Sequence, residues 1–256
     1  MEVRIAMRLA VLSDIHSNIF ALEAVLEDLS HYQVNIKINL GDIFYGPIAP
    51  KATYTLLQQH EFITICGNQD RQIFQATQQE IDSNATLKFV IEDLGDEPLL
   101  WLQTLPSTRH LDSDIFLCHG TPRDDMTYLL EDVSQGFAIT KNEKEIRSLL
   151  QGIHASLILC GHSHLPKTIS LTQMGQVIVN SGSVGLQAYK DEEPCVHSIE
   201  NACSEASYAI IEKTSDGWSV EHKRVAYDFE KASALALQNG RNDWEYALKT
   251  GKVKPV

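Results

Sequence analysis

Five times along this chain a short apolar run stops abruptly in a polar cluster, and that recurrence restricts the fold more than any other feature. RLAVLS (8–13) gives way to Asp14-Ile15-His16, IKINL (36–40) to Gly41-Asp42, and FITIC (62–66) to Gly67-Asn68-Gln69-Asp70-Arg71. DIFLC (114–118) gives way to His119-Gly120, and SLILC (156–160) to Gly161-His162-Ser163-His164. Runs this short, rich in β-branched residues and bounded by turn formers, read as buried strands. Helical patterns lie between them. Ile19, Leu22, Val25, Leu26 and Leu29 mark one amphipathic face behind Asn18 as a cap, Pro50 opens a second helix, and 141–150 form a third. The stretch 71–106 reads as helical throughout. Strands alternating with helices predict an α/β layered fold.

After Pro166 the pattern changes to hairpins. KTISL and VIVN flank the turn TQMGQ, and SYAIIE and WSVEHKRVAY flank Ser215-Asp216-Gly217. A last helix is expected over 229–238, and the polar stretch 187–205 reads as a flexible loop. No repeat, low-complexity tract or linker interrupts the 256 residues. The expectation is therefore one domain over 1–256, with 71–106 as a helical insertion; a chain of this size buries enough surface to need no staples.

Strand C-terminal ends share one edge in layered α/β folds, and sites form there. Asp14, His16, Asp42, Asn68, His119, His162 and His164 can therefore meet in space although they lie far apart in sequence. Their donors are imidazole nitrogens and hard oxygens. Cys118 precedes His119 directly, so strand alternation turns its sulfur to the other face. This donor set suits Mn, Fe, Zn or Co rather than calcium or copper(I). Seven donors are too many for one ion with open positions, and they suit two ions about 3.5–4 Å apart that share a carboxylate.

The net charge of −13 argues against a basic face that grips nucleic acid or an anionic membrane. A small phosphorylated substrate remains compatible with it, provided positive charge is supplied locally. The five cysteines form no CxxC pair, and Cys66, Cys118 and Cys160 lie inside apolar runs, as reduced core thiols do. The start, MEVRIAMRLAVLSD, has no signal-peptide pattern, and no apolar run is long enough to span a bilayer. These features predict a soluble cytoplasmic protein, with Met7 as an alternative start just before the first strand.

In this order, Asp-x-His, Gly-Asp, Gly-Asn-x-Asp, His-Gly and Gly-His-x-His resemble the calcineurin-like metallophosphoesterases. VIVNSGSVG (177–185) and ASYAIIE resemble the end of the small, single-domain prokaryotic phosphodiesterase branch of that family. The resemblance implies a four-layer αββα sandwich, two mixed β-sheets flanked by helices. It implies that Asp14, His16, Asp42 and His164 hold a first divalent metal. Asp42, Asn68, His119 and His162 then hold a second, with Asp42 bridging. It also implies a phosphoesterase in which a metal-bridging hydroxide attacks phosphorus in line with the leaving oxygen. The ions would supply the positive charge that the acidic chain lacks.

One position departs from the pattern. Many members carry His immediately after the Asn, usually read as a general acid; here Gln69 stands there. Gln donates a hydrogen bond but delivers no proton, and a good acid contributes typically 10²–10⁴-fold when the leaving group is poor. Gln69 therefore favours phosphodiesters with activated leaving groups and phosphoanhydrides, with nucleotides or dinucleoside polyphosphates as the substrate class. Asp42, Asn68, Gln69 and Asp70 are the catalytic candidates; Asp70 is expected to fix the loop shape through backbone amides or a ligand histidine. Arg123, Gln69, Tyr45 and Arg71 are candidates for substrate contact, Arg123 as a bidentate phosphate clamp. NSGSVG (180–185) follows a strand but lacks the lysine and the following helix of a P-loop, so it reads as a structural turn beside the site. The remaining histidines, His31, His60, His110, His154, His197 and His222, match no motif and read as surface or helix-end residues. Two other functions stay open: a phosphomonoesterase or protein phosphatase, and an interaction module that keeps its metals, which an exposed apolar patch would favour.

Overall fold

The protein is described by a computed structural model over residues 7–255. The reading of the extreme N-terminus falls on residues 1–6, outside the described residues. Two five-stranded sheets face each other. The first has the order β14 (Gly217–Val225), β13 (Ala206–Thr214), β1 (Arg8–Leu12), β2 (Ile36–Asn39), β3 (Ile63–Thr64). The second has the order β4 (Thr108–His110), β5 (Ile115–Cys118), β8 (Leu157–Cys160), β10 (Gln176–Asn180), β9 (Lys167–Leu171). Both are mixed. β1, β2 and β3 run parallel while β13 pairs antiparallel to β1; β5, β8 and β10 run parallel between antiparallel β4 and β9.

Side-chain alternation explains why these strands are apolar on both faces. Leu9 and Val11 of β1 pack between the sheets with Ile115 and Leu117 of β5 and Leu157 and Leu159 of β8. Their neighbours Ala10 and Leu12 point outward, against Leu22, Val25 and Leu29 of α1 (Ile19–Ser30). On the second sheet Phe116, Cys118, Ile158 and Cys160 point outward, against Ile146 of α7 (Glu143–Leu149) and Leu150. Helix, sheet, sheet and helix thus form four layers, the αββα sandwich, and a strand buried on both faces reads as a continuous apolar run.

The outer helices follow the sequence signals. Asn18 caps α1 by accepting the amide of Ala21 at 3.2 Å, and Pro50 opens α2 (Pro50–Leu57). The helical stretch is divided into α3 (Asn68–Gln75), α4 (Gln78–Ser83), α5 (Ala85–Leu94) and α6 (Asp96–Gln103) by the caps Thr77, Asn84 and Gly95. Three expectations need correction. The stretch 187–205 contains an antiparallel hairpin, β11 (Ala188–Asp191) with β12 (His197–Glu200), whose inward residues Ala188, His197 and Ile199 are buried. A ribbon of β6 (Glu131–Asp132) and β7 (Ile139–Thr140) lies where no strand was expected. The helix α8 (Phe229–Gln238) is followed by α9 (Asn242–Thr250), which buries Trp244, Ala247 and Leu248 against Ile48, Leu186 and Ala188.

Candidate metal centre

The parallel strands of both sheets end at one edge, and the polar clusters that follow them converge there. Asp14 and His16 follow β1, Asp42 follows β2, Asn68 begins α3 after β3, His119 follows β5, and His162 and His164 follow β8. Backbone hydrogen bonds lash the loops together. The amides of Asp14 and His16 donate to the carbonyls of Gly41 and Asp42 at 2.9 and 3.0 Å, and Gly161 N donates to the His119 carbonyl at 2.8 Å. The chain accepts strain to do this. Asp14 (φ 56°), His16 (50°), Asp42 (53°), His162 (67°) and His164 (58°) all lie in the left-handed region. Non-glycine residues rarely sit there, and a cluster of such residues at a single site marks a functional constraint.

Two groups result, Asp14 with His16 and His164, and Asp42 with His119 and His162; within each, one donor atom per residue lies within 4.8 Å of the others. His164 Nε2 is 3.4 Å from Asp14 Oδ1, and His119 Nε2 is 3.3 Å from Asp42 Oδ2 and 3.9 Å from Asp14 Oδ1. The exposures of these six side-chain carriers do not exceed the 6% of His162.

Each imidazole is oriented by a backbone carbonyl, which fixes its tautomer because a carbonyl only accepts. Nδ1 of His16 donates to Tyr45 O at 2.9 Å, Nδ1 of His119 to Leu40 O at 2.8 Å, and Nδ1 of His164 to Leu186 O at 2.7 Å. His162 is turned the other way, with Nε2 donating to Met126 O at 3.0 Å. The remaining nitrogen of every ring is thus the one left to ligate, once it carries no proton.

This arrangement fits divalent cations on three counts. His16 Nε2 and His164 Nε2 are 3.0 Å apart, and as both carry lone pairs they repel unless a positive centre lies beside them. Asp14 Oδ1, Asn68 Oδ1 and His119 Nε2 are buried without a hydrogen-bond partner among the described residues, and such orphans are costly. Asp14 and Asp42 are two buried carboxylates that no lysine or arginine pairs among the described residues. Burial disfavours their charge, yet the facing histidines hold both below the usual carboxylate range. Burial works against a charge on His119 as well, but Asp42 and Asp14 outweigh it and pull the ring up to about 10, so the two carboxylates favour a positive charge beside them.

The stretch GNQDR acts through three different groups. Asn68 lines the cleft and holds a side-chain oxygen buried without a partner. Gln69 uses its backbone N–H, which donates to Asp42 Oδ1 at 2.8 Å, while its side-chain oxygen is buried without a partner. Asp70 is fully buried and does not line the cleft; its Oδ1 accepts the amide of Ile43 at 2.8 Å and its Oδ2 that of Gly67 at 3.0 Å. It ties the β2 loop to the start of α3 through amides and makes no bond to a ligand histidine, so among the catalytic candidates it is a positioning residue. Gly67 is required because a Cβ there would collide with the Asp42 carboxylate.

The cleft above the two groups has a volume of about 220 Å³. Tyr45 lines it, with its hydroxyl held by Asn84 Nδ2 at 3.0 Å. Arg71 lies in an adjoining cavity with Gln69, and Asp125 already occupies its fork at 2.7 and 2.8 Å. Arg123 is not brought to the cleft: the Thr121–Asp124 turn swings it outward, and it donates to the Gln151 carbonyl at 2.9 Å. NSGSVG is a brace. Val184 N and Gly185 N donate to the carbonyls of Ser13 and Asp14, and Asn180 Nδ2 to Gly161 O.

Sequence reasoning missed two sets of residues. His197 is 1% exposed rather than on the surface, and its Nε2 meets Tyr128 Oη at 2.9 Å. Tyr128 stacks on His162 and shares its hydroxyl with Tyr189, which donates to the His162 carbonyl. Arg241, Trp244 and Lys190 also line the cleft, and Trp244 packs edge-on to His16 at 5.7 Å. No motif marks any of these; an aromatic and an arginine beyond an apparent last helix were the only signal.

A family model for the calcineurin-like phosphoesterase superfamily domain matches residues 7–202. An uncharacterized protein of Methanocaldococcus jannaschii is 25% identical over 248 residues, which span 92% of this chain and 94% of its own. The fold also superposes on a metallophosphoesterase from Sphaerobacter thermophilus with a TM-score of 0.74 and 24% identity, over 96% of this chain and 99% of that one.

Proposed function

The chain belongs to the calcineurin-like phosphoesterase superfamily, and from that premise we propose that it is a dinuclear-metal phosphodiesterase acting on nucleotides or dinucleoside polyphosphates. The observation that carries this reading is the pair of adjoining donor groups, with Asp14 Oδ1, Asn68 Oδ1 and His119 Nε2 buried without partners and Gln69 lining the cleft. Asp14, His16 and His164 would hold one ion, and Asn68, His119 and His162 the other. Asp42 would be shared by the two, since its charge acts on His16 of the first group as well as on His119 of the second. Divalent ions so held lower the pKa of bound water and neutralise charge on phosphoryl oxygens.

The chain's own contribution is placement. The carbonyls of Tyr45, Leu40, Leu186 and Met126 keep four imidazoles in their ligating tautomers. The amide of Gln69 keeps Asp42 turned inward, and Asp70 holds the two loops in register. The Gln69 side chain can donate to a phosphoryl oxygen but cannot protonate a leaving alkoxide, so reactivity follows the leaving group.

The test is hydrolysis with added Mn²⁺. Bis(4-nitrophenyl) phosphate and dinucleoside polyphosphates should be cleaved, and EDTA or His119→Ala should abolish cleavage. Alkyl phosphomonoesters turned over much faster than diesters would move the reading to a phosphomonoesterase. Elemental analysis of the reconstituted protein should find two ions per chain, and fewer in Asp42→Asn. One observation favours the second reading, an interaction module. Phe137, Ile139 and Val196 are 54%, 38% and 59% exposed around the β6–β7 ribbon and the β11–β12 hairpin. Retention of both ions with no hydrolysis of any phosphoester would select that reading.

A further inference from the structure

The cleft continues past the metal centre in one direction, and its walls change character there. Lys190 and Arg241 line both the cleft and a second cavity of about 210 Å³ that adjoins it, where Lys254 joins them. In a chain of net charge −13 this gathering of three cations from β11, the α8–α9 junction and the C-terminal segment is out of keeping with the surface.

Their partners show which of the charges are available. Arg241 is fixed on three sides: Nε and Nη2 donate to Asp243 at 2.9 and 2.7 Å, Nη1 donates to Thr86 Oγ1 at 2.8 Å, and the guanidinium lies 5.3 Å from the Trp244 ring centre. One N–H remains on each terminal nitrogen, held in a set orientation. Asp243 also lines the outer cavity, but its carboxylate is taken up by Arg241. Asp191 lines the inner cleft, and its Oδ1 accepts the amides of Glu192 and Glu193. Lys190 and Lys254 make no ion pair among the described residues, and both are exposed. In the cavity that adjoins the cleft at Asn68 and Gln69, by contrast, the Arg71 fork is closed by Asp125 and the lining includes Gln72, Gln75, Glu80 and Asp191.

We propose that Lys190, Arg241 and Lys254 form an anion subsite that takes a second phosphoryl group of the substrate, beside the one that reacts. This rests on the phosphoesterase reading of the metal centre. The subsite recognises a polyphosphate chain: one phosphoryl group lies at the metals, and the next ones run outward past Arg241 towards Lys254. Arg241 supplies fixed N–H donors, and the two lysines supply mobile charge. Substrates with a single phosphate leave the subsite unused.

The subsite is tested without catalysis by calorimetric titration of the EDTA-treated protein with tripolyphosphate and, as a reference, inorganic phosphate. Tripolyphosphate should bind more tightly than phosphate. Lys190→Ala with Lys254→Ala should weaken tripolyphosphate about tenfold, the loss expected for two solvent-exposed charges. The double Arg replacement should restore it. Both positions are exposed, so an unchanged melting temperature verifies the fold. Equal tripolyphosphate affinity in wild type and the double Ala variant overturns the subsite.

With metal present, the double Ala variant should also lower the ratio of kcat/KM for a dinucleoside tetraphosphate over that for bis(4-nitrophenyl) phosphate about tenfold, through KM. An unchanged ratio overturns its use in substrate choice. Failure of the wild type to hydrolyse either compound would instead reject the phosphodiesterase reading, while the titration still reports on the subsite.

Discussion

Asn68 and Gln69 are adjacent amides with different duties. Asn68 offers a buried, unpartnered side-chain oxygen, whereas Gln69 contacts Asp42 only through its backbone. Truncating Gln69 therefore leaves the Asp42 contact in place. Gln69→Ala is expected to lose at most about tenfold in kcat/KM on activated aryl diesters, the worth of one neutral hydrogen bond of roughly 1 kcal/mol. Asn68→Ala is expected to lose far more, because a ligand goes with it, and elemental analysis should find less metal. A thousandfold loss in Gln69→Ala, growing with leaving-group pKa across an aryl series, would show that this residue or a water it holds delivers the proton. Asn68 is legible in the sequence as a candidate donor only through the order of the five motifs, since Gly-Asn after an apolar run is also an ordinary turn. The sequence did not reveal that Asp70 spends both oxygens on the amides of Gly67 and Ile43, because that depends on how closely two loops approach.

At the scale of elements, the centre depends on close approach between the ends of strands and on the hairpin that backs it. The start of α3 comes so near the β2 loop that a Cβ at Gly67 would overlap the Asp42 carboxylate. Although φ of −90° is open to alanine, the Cβ would also collide with the Asp42 backbone nitrogen, so Gly67→Ala should melt lower and bind metal more weakly in a competition titration. Wild-type affinity in that variant would mean the loops part without cost. The β11–β12 hairpin supports the other side through Tyr189 and His197, which share the hydroxyl of Tyr128. Tyr128→Phe keeps the ring stacked on His162 and deprives both partners. It should cost about 1–3 kcal/mol of stability, as for buried groups left unsatisfied. It should also weaken metal roughly tenfold, as for lost support behind a ligand. Calorimetry and the same titration measure both, and an effect on stability alone would make the network structural only. This hairpin reads as a loop because its strands are short and polar; its pairing is local, but what selects it is the packing of Ala188 against Trp244 and of Ile199 against Tyr128, which is long-range information.

For the molecule as a whole, folding brings two buried carboxylates, Asp14 and Asp42, to one point with no lysine or arginine against either among the described residues. Divalent metal should therefore stabilise the fold. At a hundred times the dissociation constant the gain is about 2.7 kcal/mol. That corresponds to a rise of roughly 5–11 °C in melting temperature for a chain of this size. Asp42→Asn should lose most of the rise, since it removes the carboxylate that no lysine or arginine pairs among the described residues. A metal-independent melting temperature in the wild type would count against ligation by these residues. The sequence by itself determined the layered α/β class, most strands of the two large sheets in their order along the chain, and the candidate donors at their ends. Each of these is written locally, in apolar runs, their periodicity and the residues that stop them. Only the tertiary structure decided that the donors divide into two adjoining groups and that Arg123 turns away to Gln151. Only it brought Arg241, Trp244 and His197, from the far end of the chain, against the site. Those outcomes follow from the register of two sheets and the docking of α9, which brings Trp244 against His16 across most of the length of the chain, and no local pattern encodes them.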